Sequence, residues 1–239
     1  MRIKVGEMHF KDLNEWINNN QDSTLLLEEC MGQRYIGNGL VGKRITIKGT
    51  PGNALGSYLN GCTIEVYGNA QDATGDTMNE GEIYIHGSAG DATGYSMRGG
   101  KIFVRDNAGY RAGIHMKAYK DKQPLLIVGG KAGDFLGEYQ AGGTIIVLGL
   151  NCEAVPVGQF CGTGMHGGKI YLRCDTLPSD LPKQVVTRKA ESKDLQEIKD
   201  VINEFCQVFK IEEEVVWCKE FYILEADTKN PYKQLYTYN

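Results

Sequence analysis

Short apolar stretches return along the middle of the chain at a near-constant interval, separated by glycine-rich polar segments. Ile45, Ile64, Ile83, Ile102, Leu126, Ile145 and Ile170 each open one, at spacings of 19, 19, 19, 24, 19 and 25 residues. Within the stretches the apolar positions alternate. Ile45 and Ile47, Ile64 and Val66, Ile83 and Ile85, and Ile102 and Val104 share one side of an extended segment, a two-residue period that predicts a β-strand. Other columns keep the same offsets. Gly37, Gly56, Gly75, Gly94, Gly113 and Gly137 form one, which breaks near Pro156; Leu40, Leu59, Met78, Met97, Met116, Gln140 and Met165 form another. Several independent columns that share the same two insertions mark an internal repeat, and self-similarity at about 20 residues predicts a solenoid.

Strands that recur in one direction pair in parallel, and glycine supplies the corners between them. The expected fold is therefore an all-β core, a single-stranded right-handed parallel β-helix of about seven coils, one strand per coil at ~4.8 Å spacing. Handedness follows from the right-handed preference of parallel crossovers. The left-handed alternative needs an apolar residue at every sixth position, which an interval of 19 does not accommodate. The leucine–methionine column reads as an inner ladder, flexible side chains filling a core. Between the inward strand positions lie Thr46, Glu65, Tyr84, Phe103, Ile127, Ile146 and Tyr171. That column begins polar and becomes apolar, and an apolar sheet face of this extent requires cover. Either a terminal helix of the same chain lies on it or another protein does, which makes Tyr84, Phe103, Ile127, Ile146 and Tyr171 candidate partner-interface residues.

The ends have a different texture and divide the chain into a capping segment at 1–36, the repeats at 37–175, and an extension at 176–239. Leu13, Trp16 and Ile17 have helical spacing, and Leu25 to Leu27 read as a short strand. Ser192 begins an amphipathic helix with Leu195, Ile198, Ile202, Phe205 and Phe209 on one face. The apolar run at 215–224 fits strand or helix equally. A short α/β cap and a helical C-terminal extension are thus expected to flank the repeats.

Composition narrows the setting. Of 31 glycines, 29 fall between Gly37 and Gly168, while 41% of residues are hydrophobic; the chain is neither collagen-like nor a disordered linker. A net charge of -4 argues against a nucleic-acid grip, and no apolar stretch approaches a membrane span. Seven cysteines without regular spacing fit reduced thiols, and with no secretion signal at the start the expected compartment is the cytoplasm.

Candidate chemistry is sparse. Residues 37–42 and 162–167 match the dinucleotide fingerprint by letter, but each runs into a strand where the phosphate-binding geometry needs a helix. His9, His86, His115 and His166 have no metal-ligand spacing, and His86 shares a strand-end column with Lys48, Tyr67, Arg105 and Arg173 that reads as solvated surface. Asp72, Asp91 and Asp134 fall in one column beside corner glycines, where turn chemistry explains them. Expected are no catalytic residue, no metal ligand and no cofactor on this chain. The two insertions are the remaining candidates. Residues 117–122 form a small basic bulge with Lys117, Tyr119 and Lys120, and residues 152–163 carry Phe160; such insertions map to projecting loops, often on a binding face.

The repeat also resembles a known family. Gly49-Thr50-Pro51-Gly52, Gly68-Asn69-Ala70-Gln71-Asp72 and Gly87-Ser88-Ala89-Gly90-Asp91 are similar to the GXGXG domain of glutamate synthase. So are Gly94-Tyr95-Ser96-Met97-Arg98-Gly99-Gly100, Gly133-Asp134-Phe135-Leu136-Gly137 and Gly162-Thr163-Gly164-Met165-His166-Gly167-Gly168. In that family the domain is the right-handed β-helix at the C-terminus of the large subunit, it also occurs as a free-standing subunit, and a related one forms a subunit of formylmethanofuran dehydrogenase. The resemblance implies a non-catalytic scaffold in glutamine-dependent glutamate formation. Chemistry would reside on partner subunits, a glutamine amidotransferase and a barrel holding FMN and iron–sulfur clusters. A subunit of a formylmethanofuran dehydrogenase-like or other amidotransferase-linked oxidoreductase is the alternative, and an enzyme acting alone through its insertions is a third; a homo-oligomer is compatible with each.

Overall fold

Equivalent positions of successive repeats lie side by side. Ile45 pairs with Ile64, Ile64 with Ile83, Ile83 with Ile102, Ile102 with Leu126, Leu126 with Ile145 and Ile145 with Ile170. The structure, a computed structural model, describes residues 1–227; residues 228–239 of the C-terminal extension lie outside the described residues. In chain order its elements are β1 (Arg2–Lys4), α1 (Phe10–Asn19), β2 (Thr24–Met31), β3 (Arg44–Thr50), β4 (Asn60–Tyr67), β5 (Glu80–Ile85) and β6 (Lys101–Val104). There follow β7 (Leu125–Val128), β8 (Ala141–Val147), β9 (Gly167–Arg173), β10 (Val185–Lys189), α2 (Ser192–Phe209), α3 (Glu213–Trp217) and β11 (Phe221–Ala226).

The expected right-handed β-helix of about seven coils is corrected by this topology. The strands form one open 11-stranded sheet in the order β1-β2-β3-β4-β5-β6-β7-β8-β9-β11-β10. It is parallel from β1 to β9, and β11 and β10 join antiparallel at its end. A repeat establishes which residues pair. It carries no record of handedness or closure, and the antiparallel strands have no repeat signature at all. The undecided run at 215–224 supplies both α3 and β11.

Glycine is required where repeats approach closely. The Asp91 carboxylate accepts the Tyr110 amide of the next repeat at 2.8 Å, and a Cβ on Gly109 would stand 2.2 Å from that oxygen. Asp72 makes the same bond to the Asp91 amide at 2.9 Å beside Gly90, and Asp134 to the Gln159 amide at 2.9 Å beside Gly158. The aspartate column therefore caps backbone donors across repeats. Next to it Ala70, Ala89, Ala108, Ala132 and Val157 bridge in a second, narrow parallel row. The glycine column, expected to break near Pro156, continues at Gly162 with φ +73°, because the insertion precedes it.

The sheet buries apolar side chains on both faces. On one, the isoleucine column packs with Leu55, Leu59, Met78, Met97, Met116 and Met165 from the connecting segments. On the other lies α2, whose start is tied to the sheet edge. Asp194 accepts from Arg188 on β10 at 2.6 and 2.8 Å and from the Glu191 amide at 2.9 Å, completing a capping box. The Arg188 guanidinium holds the Asp194 carboxyl well below the usual aspartate range.

Replacing Asp194 by alanine should lower stability by ~2 kcal/mol at neutral pH, through the lost cap and an orphaned arginine. A depressed carboxyl stabilises fully above the unfolded value of about 3.9 and ceases to do so as pH falls toward the folded one. Urea midpoints of the two proteins should therefore converge between about pH 5 and pH 2; a constant gap would refute the role of this pair.

Candidate interaction surface

The apolar column is covered from within the chain. Tyr84, Phe103, Ile127, Ile146 and Tyr171 are buried in one cluster with Ile198, Ile202, Phe205 and Phe209 of α2, and the least buried of the five, Tyr84, is 8% exposed. The five residues are thus occupied by the protein's own helix, not open to a partner. Ring contacts define the fit: Phe103 lies 5.7 Å from Phe205, and Phe205 lies 4.8 Å from Phe209. Polar groups fasten the rim. The Tyr84 hydroxyl donates to Glu204 at 2.8 Å, Lys101 binds both Glu204 and Glu82, and Lys169 binds Glu197 at 2.6 Å with the Tyr171 hydroxyl 3.3 Å away. Burial and these carboxylates push both tyrosine hydroxyls above their usual range.

The strand-end column expected to be solvated is corrected in two places. Arg173 is buried, donating to the carbonyls of Leu148, Val215 and Val216 at 2.9, 2.6 and 2.7 Å, which seats α3 on the sheet. His86 stacks on Tyr67 at 4.4 Å, meets Phe209 edge-on and contacts Glu65 at 3.0 Å.

The insertion residues are exposed. Lys117, Tyr119 and Lys120 stand on a hairpin closed by reciprocal backbone bonds of 3.1 Å between Tyr119 and Lys122, with Lys120 in the left-handed region at φ +54°. Phe160 belongs to a larger feature. It stacks on Phe135 with centroids 4.9 Å apart, and the Arg111 guanidinium lies 5.2 Å over Phe135. Beside this row His115 stacks on Tyr139 at 5.1 Å, and Tyr95 meets His115 edge-on at 6.0 Å.

Both rows sit on strained backbone. Arg111, Phe135 and Phe160 have φ of +57°, +61° and +60°, and His115 and Tyr139 both +54°. Such conformations cost side-chain-bearing residues about 1–2 kcal/mol each, and the outer members of the second row, Gly39 and Gly164, are glycines at +65° and +70°. A stacked aromatic pair returns only about 0.5–1.5 kcal/mol. Five such backbones cost more than the two stacked pairs return, so the ladder is not a net source of stability. What it provides is a ring-lined surface: Tyr95, Tyr139 and Phe160 are 38%, 46% and 45% exposed.

Comparison with known proteins places this architecture. The family model described as GXGXG motif matches residues 8–225. The chain belongs to the GXGXG motif family. An uncharacterized protein of Methanocaldococcus jannaschii is 44% identical over 253 aligned positions, which cover 98% of this chain and 95% of that protein. Among solved structures, a chain of the formyltransferase/hydrolase complex (FhcABCD) from Methylorubrum extorquens, in complex with methylofuran, shares the fold. Its TM-score is 0.66 at 22% identity, covering 85% of this chain and 74% of that one.

Five of the seven thiols of this GXGXG protein are buried. Burial pushes the Cys30 and Cys161 thiols up to about 12 and those of Cys174 and Cys206 to about 11, which leaves them un-ionised at neutral pH. The two fingerprint-like segments enter β3 and β9 directly. Among the described residues no three His, Cys, Asp or Glu side chains gather where a metal ion could be held, and no helix is long and apolar enough to cross a membrane. The aromatic rows were missed at the sequence level. Their signal is columnar: Phe135 and Phe160 follow Arg111, and Tyr139 follows His115, at the repeat offsets.

Phe205→Asp should detach α2, at a cost of about 3–5 kcal/mol, read as rapid proteolysis within 192–209. Phe160→Ser should shift stability by less than ~1 kcal/mol. Equal sensitivity of the two sites would contradict this division between core and surface.

Proposed function

We propose that this GXGXG protein is a non-catalytic scaffold subunit of a glutamate synthase-type complex, contributing to glutamine-dependent glutamate formation by holding catalytic subunits in position. The observation that carries the reading is the division of its apolar surface. The wide sheet face is closed by α2, while the stacked rows built on Phe135, Phe160, His115 and Tyr139 remain open to solvent at Tyr139 and Phe160. Aromatic residues and arginine are the types enriched at the cores of protein interfaces. Family membership supports a role beside other subunits, and the runs from Gly49 to Asp91 and from Gly94 to Gly100 resemble the GXGXG domain of glutamate synthase. FMN, iron–sulfur clusters and the amidotransferase nucleophile belong, in this reading, to the partners. Seven unpaired cysteines support a reducing, cytoplasmic setting.

A second reading, a subunit of a formylmethanofuran dehydrogenase-like complex, is favoured by one observation: the structural likeness to a chain of a formyltransferase/hydrolase complex. Affinity purification of the tagged protein from its native cells separates the two. Recovery of an amidotransferase and a flavin-containing barrel supports the first, recovery of formyl-transfer or molybdenum or tungsten enzymes the second. Combined Phe135→Ala, Tyr139→Ala and Phe160→Ala should reduce recovery of any partner at least tenfold with the protein still folded. A chain that purifies alone and turns over glutamine and 2-oxoglutarate unaided would overturn the scaffold reading.

A further inference from the structure

The hairpin at 117–122 overhangs a cleft of about 570 Å³ lined by Tyr58, Asn60, Asn79, Arg98, Tyr119 and the loop residues Lys120, Asp121 and Lys122. Its charges do not balance. Lys122 is held by Glu80 at 2.6 Å, and Asp121 is the single carboxylate among the residues that line the cleft. Arg98 is left over. Its Nε is buried without any hydrogen-bond partner, and among the described residues its guanidinium has no ion pair. Elsewhere each inward-reaching arginine is satisfied, Arg173 by three carbonyls and Arg188 by two carboxylates. A buried guanidinium N–H with no acceptor, on an always-charged side chain, is uncommon in a folded protein.

We infer that the cleft beneath the 117–122 hairpin binds the oxyanion group of a small molecule, with Arg98 as its charge partner. An arginine fork matches a carboxylate or phosphate with two parallel bonds. Asn60, Asn79 and the hydroxyls of Tyr58 and Tyr119 line the same cleft as further donors, and the tyrosine rings offer apolar walls for the rest of the ligand. The hairpin exists because the repeat is lengthened here from 19 to 24 residues. It brings Tyr119 and Lys120 to the cleft while leaving the strand register on either side unchanged. This inference does not depend on which complex the protein serves.

The test is a titration of the isolated full-length protein with inorganic phosphate and, separately, with acetate, followed by the Arg98 Nε–H signal in NMR at constant ionic strength. Saturable movement of that signal with either anion supports the site; phosphate alone points to a phosphate ester, both together to a carboxylate-tolerant pocket. Arg98→Gln should weaken the apparent affinity at least tenfold as read from the Tyr119 ring signals. Lys120→Ala, on an exposed loop that cannot unfold the sheet, should weaken it two- to threefold. Chloride producing the same movement, or affinity unchanged in Arg98→Gln, would overturn the proposal.

Discussion

The close approach of consecutive repeats governs this molecule. Parallel strands stand ~4.8 Å apart, so whatever occupies a position in one repeat touches its counterpart in the next. Where an aspartate reaches across to cap the following amide, the neighbouring repeat has room only for glycine, as at Gly90 and Gly109. Where isoleucines meet isoleucines, the contact becomes a continuous core. The same rule places ring on ring at Phe135 and Phe160 and at His115 and Tyr139. Glycine-rich composition, buried core and exposed aromatic rows are three outcomes of one spacing.

That rule also explains what could be read from the amino acids. Pairing register was legible because each column reports a physical contact: Ile64 sits beside Ile45 and Ile83 because the sequence offset is the pairing offset. Helix α2 was legible from its own periodicity. The architecture was not. Columns are silent on how connecting segments close, and β10 and β11, which end the sheet antiparallel, carry no repeat. Nor could the stripe through Phe103 and Ile146 declare its cover, since burial by the chain and burial by a partner demand the same residues. The length of α2, its capping by Asp194 and the Lys101–Glu204 and Lys169–Glu197 ties settle it in the three-dimensional structure.

The surface features were the least legible. Phe160 stands out as part of an insertion, while Phe135 and Tyr139 look unremarkable as letters, and their meaning comes from the stacking of one repeat on the next. The left-handed backbone recurs at these two corner positions in every repeat, on Ala54, Ala73 and Ala92 in one column and on Tyr58, Thr77 and Ser96 in the other, so it is the rings placed there that distinguish the later repeats. Arg98 likewise carries no mark in the sequence beyond its place in the run from Gly94 to Gly100. Only burial of its Nε without a partner distinguishes it from the satisfied Arg173 and Arg188. Both features lie on the connecting segments, away from α2, so the fold separates what holds it together from what it presents to others.

Hydrogen exchange of the free protein and of the same protein within its native assembly tests that separation most directly. The amides of α2 should be protected in both states, with little change on assembly. New protection should instead appear on the ring-bearing segments at 111–115, 135–139 and 160–164. Slow exchange of α2 only within the assembly, with those segments unaffected, would mean that the apolar sheet face is the docking surface after all and would contradict the account.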